Sequence, residues 1–494
     1  MDNTNNTPLH NDLFKKARLH SLISTVIHQC SIRVVFPLGV LSVYIFSYFI
    51  NQGKIPKAQF NLSIFPISLL TFTMTLTIPI AGITEKIIGQ RLTILLSYLI
   101  MLLALTILYF SNSAYLSLAT YVILGFGQGL SYMLTVKSST YFFPKNAGLM
   151  TSLINSTSSI AAAAFNIFAE FILINPKQIQ PEKDSGVYVD IKEKTYANYI
   201  IMAGSVLIVF LIPTLIFFTI SLRYKQRYEK EIKLLQEDTT QKLYVDQTVT
   251  SDEKDTGEKG TKESTNNNNN KHSKELLKKN LKKVFTTFPV YRLCFECFLT
   301  AFLPLLVYNT YKPVSLQNER NNSVLAVTTS VAAIALAFAN PLWGYFYDKK
   351  SFKPLIITMG VGGLIDGAFF LVAIHSDYLI TLSVLFNNVL LGAAQTIFFP
   401  HVVKIFGLAH SLIVSGVIGL GMGVVSMFSC IFSYIVKSIY NNDVTGYYVI
   451  YGVGIALALV SLFFSCTEKE EKFDYGEDGM YEDVNDNVEE GKEK

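Results

Sequence analysis

The sequence predicts an all-α integral membrane protein, with twelve transmembrane helices in two pseudo-symmetric six-helix bundles. Three observations carry this. Of 494 residues, 50% are hydrophobic and only 16% charged, where a soluble chain carries roughly 25% charge. The apolar residues fall in blocks of about twenty, the length at which a helix crosses lipid with its backbone groups satisfied internally. An outer-membrane barrel shows short alternating strands instead. Finally, features of the first half recur in the second.

The recurrence centres on Leu124–Gly148, LGFGQGLSYMLTVKSSTYFFPKNAG, and its echo Leu391–Gly407, LGAAQTIFFPHVVKIFG. Gly125, Gln128 and Lys137 return at the same spacing as Gly392, Gln395 and Lys404. Pro79-Ile-Ala-Gly82 before Glu85 parallels Pro341-Leu-Trp-Gly344 before Asp348. Two repeats at nearly one offset read as a duplicated membrane unit.

Taken in order, residues 1–20 form a polar tail ending in Lys15, Lys16 and Arg18. Spans of the first bundle, within 21–220, fall at about 22–50, 61–83, 92–110, 115–140, 147–174 and 198–220. Glu85, Lys86 and Arg91 mark a tight loop after the second. The fifth, rich in Ala, Ser, Thr and Asn, stops at Asn175-Pro176 before a charged loop over 177–196. Residues 221–285 read as a low-complexity linker, with RYKQRYEKEIK, the run Asn266–Asn270 and KELLKKNLKK. Too few apolar residues remain there for a core, so it is expected to be mostly disordered with short helices at its ends. The second bundle, 286–466, has spans at about 286–308, 322–343, 354–375, 378–403, 410–436 and 444–466.

Net charge is +4, yet the tail over 467–494 holds twelve acidic residues against four lysines, leaving about +12 elsewhere. With the N-terminus cytosolic, inner links hold Lys86, Arg91, Lys145, Arg223, Lys225, Arg227, Lys349, Lys350, Lys353 and Lys404. The outer side keeps Lys54, Lys57, Lys312 and Arg320, with four lysines among acids in 177–196. The positive-inside rule then puts both termini and the linker in the cytosol. The plasma membrane is the default location, an organelle membrane the alternative. Cys30, Cys294, Cys297, Cys430 and Cys466 lie in or beside apolar segments, which suits neither a disulfide framework nor a metal cluster. The first apolar run lacks a cleavage site and is expected to remain as a span. No P-loop or catalytic constellation stands out, so the expectation is a non-enzyme without cofactor or nucleic-acid partner, working as a monomer in lipid.

Gly344-Tyr-Phe-Tyr-Asp348-Lys349-Lys350-Ser351-Phe352-Lys353 resembles the loop signature of the major facilitator superfamily, with Ser in place of its second Gly. The first copy, Gly82-Ile-Thr-Glu85-Lys86-Ile-Ile-Gly89-Gln90-Arg91, carries Glu for Asp one residue early. Within that family, Gly-x-Gly-x-Gly followed by Tyr-Phe-Phe-Pro144-Lys-Asn-Ala-Gly148 is similar to the oxalate/formate antiporter and monocarboxylate porter branch, as is Asn175-Pro176. The resemblance covers residues 20–465 outside the linker. It implies the major facilitator fold, rocker-switch alternating access, and gating roles for Gly82, Glu85, Arg91, Gly344, Asp348, Lys349 and Lys353.

An ionisable group within a span is expensive and usually faces a cavity or a partner. Arg33 lies about ten residues into the first run, on the order of 15 Å deep. Its fixed charge and five donors suit a carboxylate, against the plainer roles of a structural ion pair or a cytosolic-edge residue. Lys137, Lys404, Gln128 and Gln395 are further substrate candidates, with inner-end snorkelling the competing role for the lysines. Glu170, Glu296, Asp366 and His28 are candidates for proton coupling, although Arg292 and Glu296, four apart, equally suit an ion pair. His401 shares the ambiguity of Lys404.

The function expected is secondary transport of a small organic anion, a monocarboxylate, by proton symport or anion exchange. The alternatives are a neutral-solute transporter, for sugar or amino acid, and a non-transporting nutrient sensor of the same fold.

Overall fold

The computed structural model describes residues 8–143, 146–169, 187–188, 191, 193–248, 285–317, 322–373, 375–439 and 444–467. Among them, secondary structure is helical apart from an isolated bridge at Tyr188. The helices are α1 (Pro8–Ile32), α2 (Pro37–Asn51), α3 (Phe65–Ile88), α4 (Gln90–Phe110), α5 (Ala114–Thr140) and α6 (Ala147–Ile167). They continue with α7 (Glu193–Thr248), α8 (Phe288–Gln317), α9 (Asn322–Lys349), α10 (Phe352–Ala373), α11 (Asp377–Ile439) and α12 (Val444–Cys466).

Ten stretches of the described residues are long and apolar enough to cross a membrane, which makes this a multi-pass integral membrane protein. Of the twelve expected spans, the two that miss this measure are the fourth and fifth, helices α5 and α6. Both are of spanning length, 27 and 21 residues. Their Gly, Ser, Thr, Asn and Gln lower the hydropathy, and much of that polarity is buried against other helices.

Local chemistry sets the breaks. Pro37 has no N–H to offer the carbonyl of Arg33, so Phe36 N–H takes that carbonyl at 3.1 Å. The first span therefore tightens into a short 3-10 turn over Arg33–Val35 and restarts at Pro37. Gly407, at φ 71°, separates the two helical segments of α11 that the sequence reads as the tenth and eleventh spans. Gly89, at φ 83°, ends α3 in the same left-handed region.

The chain divides into two compact units. One comprises residues 1–23, 216–287 and 474–494. Within it α1 begins at Pro8, earlier than the span expected from 22, and Leu13 and Ala17 are buried. Ser221 Oγ donates to the carbonyl of Ala17 at 3.0 Å, and Phe14 meets Tyr228 at 5.0 Å between ring centroids. Helix α7 runs on to Thr248, so the helix expected at the start of the linker is present and longer than a short end segment. RYKQRYEKEIK holds no Gly or Pro and places Lys225 3.7 Å from Glu229, an i,i+4 pair that supports the helix. The asparagine run, KELLKKNLKK and residues 468–494 lie outside the described residues.

The second unit, residues 24–215 and 288–473, contains both halves of the repeat. Helix α5 packs on α3 and α4, α6 on α9, and α11 on α3, α8 and α9. The repeat halves thus meet along α6–α9 and α3–α11. Small residues allow the approach: a Cβ on Gly416 would stand 2.6 Å from the nitrogen of Pro79. Within the first half, a Cβ on Gly129 would collide with the carbonyl of Met74 and stand 2.8 Å from Thr77 Cβ.

Overpacking of this kind costs about 1–3 kcal/mol. Gly129→Val is expected to lower the melting temperature of the purified protein. Gly452→Ala, where nothing lies within 4 Å, is expected to leave it unchanged or slightly raised. Scanning fluorimetry of the two variants beside the parent checks both outcomes.

Candidate functional site

Both halves of the second unit wall a cavity of about 160 Å³, smaller than the roughly 300–1,000 Å³ of sites for drug-sized ligands. From the first half come Arg33, Phe36, Thr71, Tyr132, Ser159 and Asn166. The second half adds Tyr308, Asn309, Thr329, Asn388, Gln395 and Ser415, and Met74, Met422, Ile418 and Phe398 are among the apolar lining. Arg33 is the one charged residue on this wall among the described residues, and no carboxylate joins it.

The helix break positions Arg33. Its side chain is 7% exposed and leaves the 3-10 turn between α1 and α2. Nε donates to Ser158 Oγ of α6 at 2.8 Å. The guanidinium lies 4.4 Å from the Phe36 ring centroid and 5.5 Å from that of Tyr132, close enough for cation–π attraction. Among the described residues it forms no salt bridge, and its neighbours are hydroxyl-bearing and aromatic: Ser158, Phe36, Tyr132 and Tyr308.

Of the remaining substrate candidates, Gln395 lines the cavity and the other three do not. Gln128 is fully buried in α5, with both amide atoms lacking a hydrogen-bond partner. Lys137 is paired away: its Nζ sits 3.0 Å from Glu85 Oε2 and 3.3 Å from Oε1. Gln90 Nε2 donates to that same carboxylate at 2.6 Å. Lys404 is exposed. Equal spacing put the two lysines at matching points of a repeated helix without making either face the cavity.

Of the proton-coupling candidates, none of the described three lines the cavity. His28 Nδ1 meets the Tyr98 hydroxyl at 3.1 Å, while its Nε2 is buried without a partner. Asp366 Oδ1 accepts from Ser383 at 2.7 Å, and its Oδ2 is likewise unpartnered. Arg292 Nε stands 3.5 Å from Glu296 Oε1, an ion pair by distance although neither atom makes a hydrogen bond. Glu170 lies outside the described residues, as do Pro144 and Lys145 of the turn after α5.

The gating candidates show how the two copies differ. Asp348, at the end of α9, accepts from the backbone N–H of Gly148 at 3.0 Å and of Leu149 at 2.8 Å. These are first-turn donors of α6 with no partner inside their helix, and the carboxylate also meets the positive end of the helix dipole. Gly344 makes room, since a Cβ there would strike Ser152 Oγ. In the first copy Gly82 packs against Ile413 in the corresponding manner, but four residues on stands Lys86, and Glu85 turns to Lys137. Lys349 lies 5.9 Å from the Tyr345 ring centroid and is exposed, and Arg91 is half-buried. Lys353 follows on the first turn of α10.

Sequence reasoning missed Tyr132, Asn155 and Ser158. The polar density of the fifth span was the available signal for the last two, because a Ser- and Asn-rich helix surrounded by apolar ones must bury its side chains against partners.

The family description Major Facilitator Superfamily matches residues 34–459. One similar solved structure is that of the proton:xylose symporter XylE with 6-bromo-6-deoxy-D-glucose bound, at 14% identity and TM-score 0.59. That likeness covers 92% of this chain and 95% of the other. A second is the human organic anion transporter MFSD10 (TETRAN), at 13% identity and TM-score 0.54, covering 92% and 99%. No curated protein matches at the level of sequence.

Removing both acceptors of the Asp348 contact is expected to loosen α6 from α9. Asp348→Ala should lower the melting temperature by the equivalent of about 1–3 kcal/mol, and Asp348→Asn, which keeps one acceptor, by less. Thermal melts of the purified variants check the order.

Proposed function

The chain belongs to the major facilitator superfamily, and from that premise we propose that it is a secondary transporter of a small organic anion, a monocarboxylate. The carrying observation is Arg33, the one charged residue of the cavity wall among the described residues. A guanidinium removed from water costs free energy unless a counter-charge reaches it, and among the described residues Arg33 has around it Ser158, Phe36 and the tyrosines Tyr132 and Tyr308, with no carboxylate. A monoanion in the cavity supplies the missing charge. A dianion would leave one charge over, and the ammonium of an amino acid would find no carboxylate on the wall.

Transport follows from the two contact lines between the halves. Rocking about a central solute opens α6–α9 and α3–α11 toward one face and then the other. Asp348 on the α6 terminus is the latch of one of these states. Where a proton accompanies the anion, Asp366 and His28, buried with one unpartnered atom each, are its candidate carriers, with Glu170 and Glu296 beside them. Exchange of one anion for another needs no such carrier. Both termini are read as cytosolic from the loop charges.

A second reading rests on the amides. Asn309, Asn388 and Gln395 face the cavity and suit the hydroxyls of a neutral solute. One similar fold carries a sugar and another an organic anion, so the likeness favours neither.

Proteoliposomes offered labelled lactate, pyruvate, formate, oxalate, amino acids and hexoses, with and without a pH gradient, separate these readings. Saturable monocarboxylate uptake is expected, with kcat/KM reduced by about 100-fold or more in Arg33→Ala. Saturable uptake of hexose alone would overturn the anion reading.

A further inference from the structure

Asn155 of α6 uses both ends of its amide. The Tyr132 hydroxyl donates to its Oδ1 at 3.0 Å, and its Nδ2 donates to the backbone carbonyl of Gln395 at 3.2 Å. Tyr132 and Gln395 both line the cavity, whereas Asn155 does not and is 1% exposed. Two hydrogen bonds therefore run from the ring beside Arg33, through the interior of the first half, to a helix of the second.

Neighbouring residues of α6 reinforce that line. Ser158, three residues on, receives Arg33 Nε at 2.8 Å. Ser156 Oγ donates to the carbonyl of Ala337 in α9 at 2.5 Å, and Asn340 Nδ2 lies 3.5 Å from Ser159 Oγ. Helix α6 is thus tied to the cavity's cation on one side and to the second half on the other. From Asn155 to Gly148, where Asp348 latches the helix terminus, is about 10 Å along the axis.

We propose that Asn155 is a positioning residue that couples an anion at Arg33 to release of the α6 junction with the second half. The inference rests on the reading of Arg33 as the anion's partner. A phenol has one proton to donate. A carboxylate beside Arg33 sits next to the Tyr132 ring and is a stronger acceptor than an amide oxygen. When the hydroxyl turns to it, Asn155 Oδ1 is left buried without a donor, which favours rotation of the amide and loss of the Nδ2 bond to Gln395. Binding at the cavity is thereby converted into a weaker contact between the halves, in a bistable element that the ligand biases.

The test uses the full-length protein in nanodiscs, with formate, pyruvate and benzoate as probes. Calorimetry reads binding, and hydrogen–deuterium exchange reads peptides covering α6 and residues 327–339. In the parent, a bound probe is expected to raise exchange at this junction by about threefold or more. Asn155→Leu is expected to bind with Kd within about threefold of the parent, show raised exchange without any probe, and lose the response. Tyr132→Phe, which leaves Asn155 Oδ1 permanently without its donor, is expected to bind more weakly, to show raised exchange without any probe and, when saturated, to lose the response. An undiminished response in both saturated variants would overturn the coupling and leave the Arg33 reading standing. Absence of binding by all three probes to the parent would instead overturn the Arg33 reading and, with it, the coupling.

Discussion

A permanently charged guanidinium inside an apolar protein, with no carboxylate beside it among the described residues, is the constraint from which the cavity takes its character. Arg33 reaches its place because Pro37 interrupts the first span and forces a tight turn. The surrounding groups, Ser158 Oγ and the faces of Phe36 and Tyr132, ease the desolvation without neutralising the charge. On the reading proposed above, a solute completes this site. Lys137 shows the contrast: Glu85 neutralises it, so its contribution is to hold α5 against the end of α3.

The halves are duplicated in sequence and unequal in chemistry. The second loop motif offers Asp348 to the first turn of α6, an acceptor on a positive helix end. In the first motif the residue four after the glycine is Lys86, which cannot accept those donors, and the neighbouring Glu85 is spent on Lys137 and Gln90. One junction between the halves therefore carries a charge-assisted contact whose counterpart is missing from the other among the described residues. Small residues at Gly344, Gly148 and Gly416 allow the backbones to meet at these junctions.

Much of this was legible in the sequence, and the reasons differ by feature. Span positions follow from apolar block length, and Gly89 and Gly407 fall in links between expected spans, whereas the turn that Pro37 forces inside the first span was not read from the sequence. The paired loop motifs pointed to the duplication and to Asp348, whose contact with the start of α6 depends on one carboxylate and its neighbours. Arg33 stood out because an arginine so deep in an apolar run needs a cavity or a partner. What stayed hidden depends on which way a helix faces. The Gly, Gln and Lys spacing is shared by the two copies, yet Gln395 reaches the cavity and Gln128 does not. The polarity of the fifth span marks Asn155 as a buried polar residue, but its partners Tyr132 and Gln395, 23 and 240 positions away, are not legible from spacing. The early start of α1 and the long reach of α7 were obscured by charge, which disfavours a core but suits a helix laced with i,i+4 pairs.

The central claim is that Arg33 holds the anion. A high-resolution cryo-electron microscopy map of the protein with a bound monocarboxylate tests it most directly. The account predicts carboxylate oxygens about 3 Å from the Arg33 guanidinium, with the Tyr132 hydroxyl turned toward them. Carboxylate density elsewhere in the protein, with Arg33 still donating only to Ser158, would contradict it.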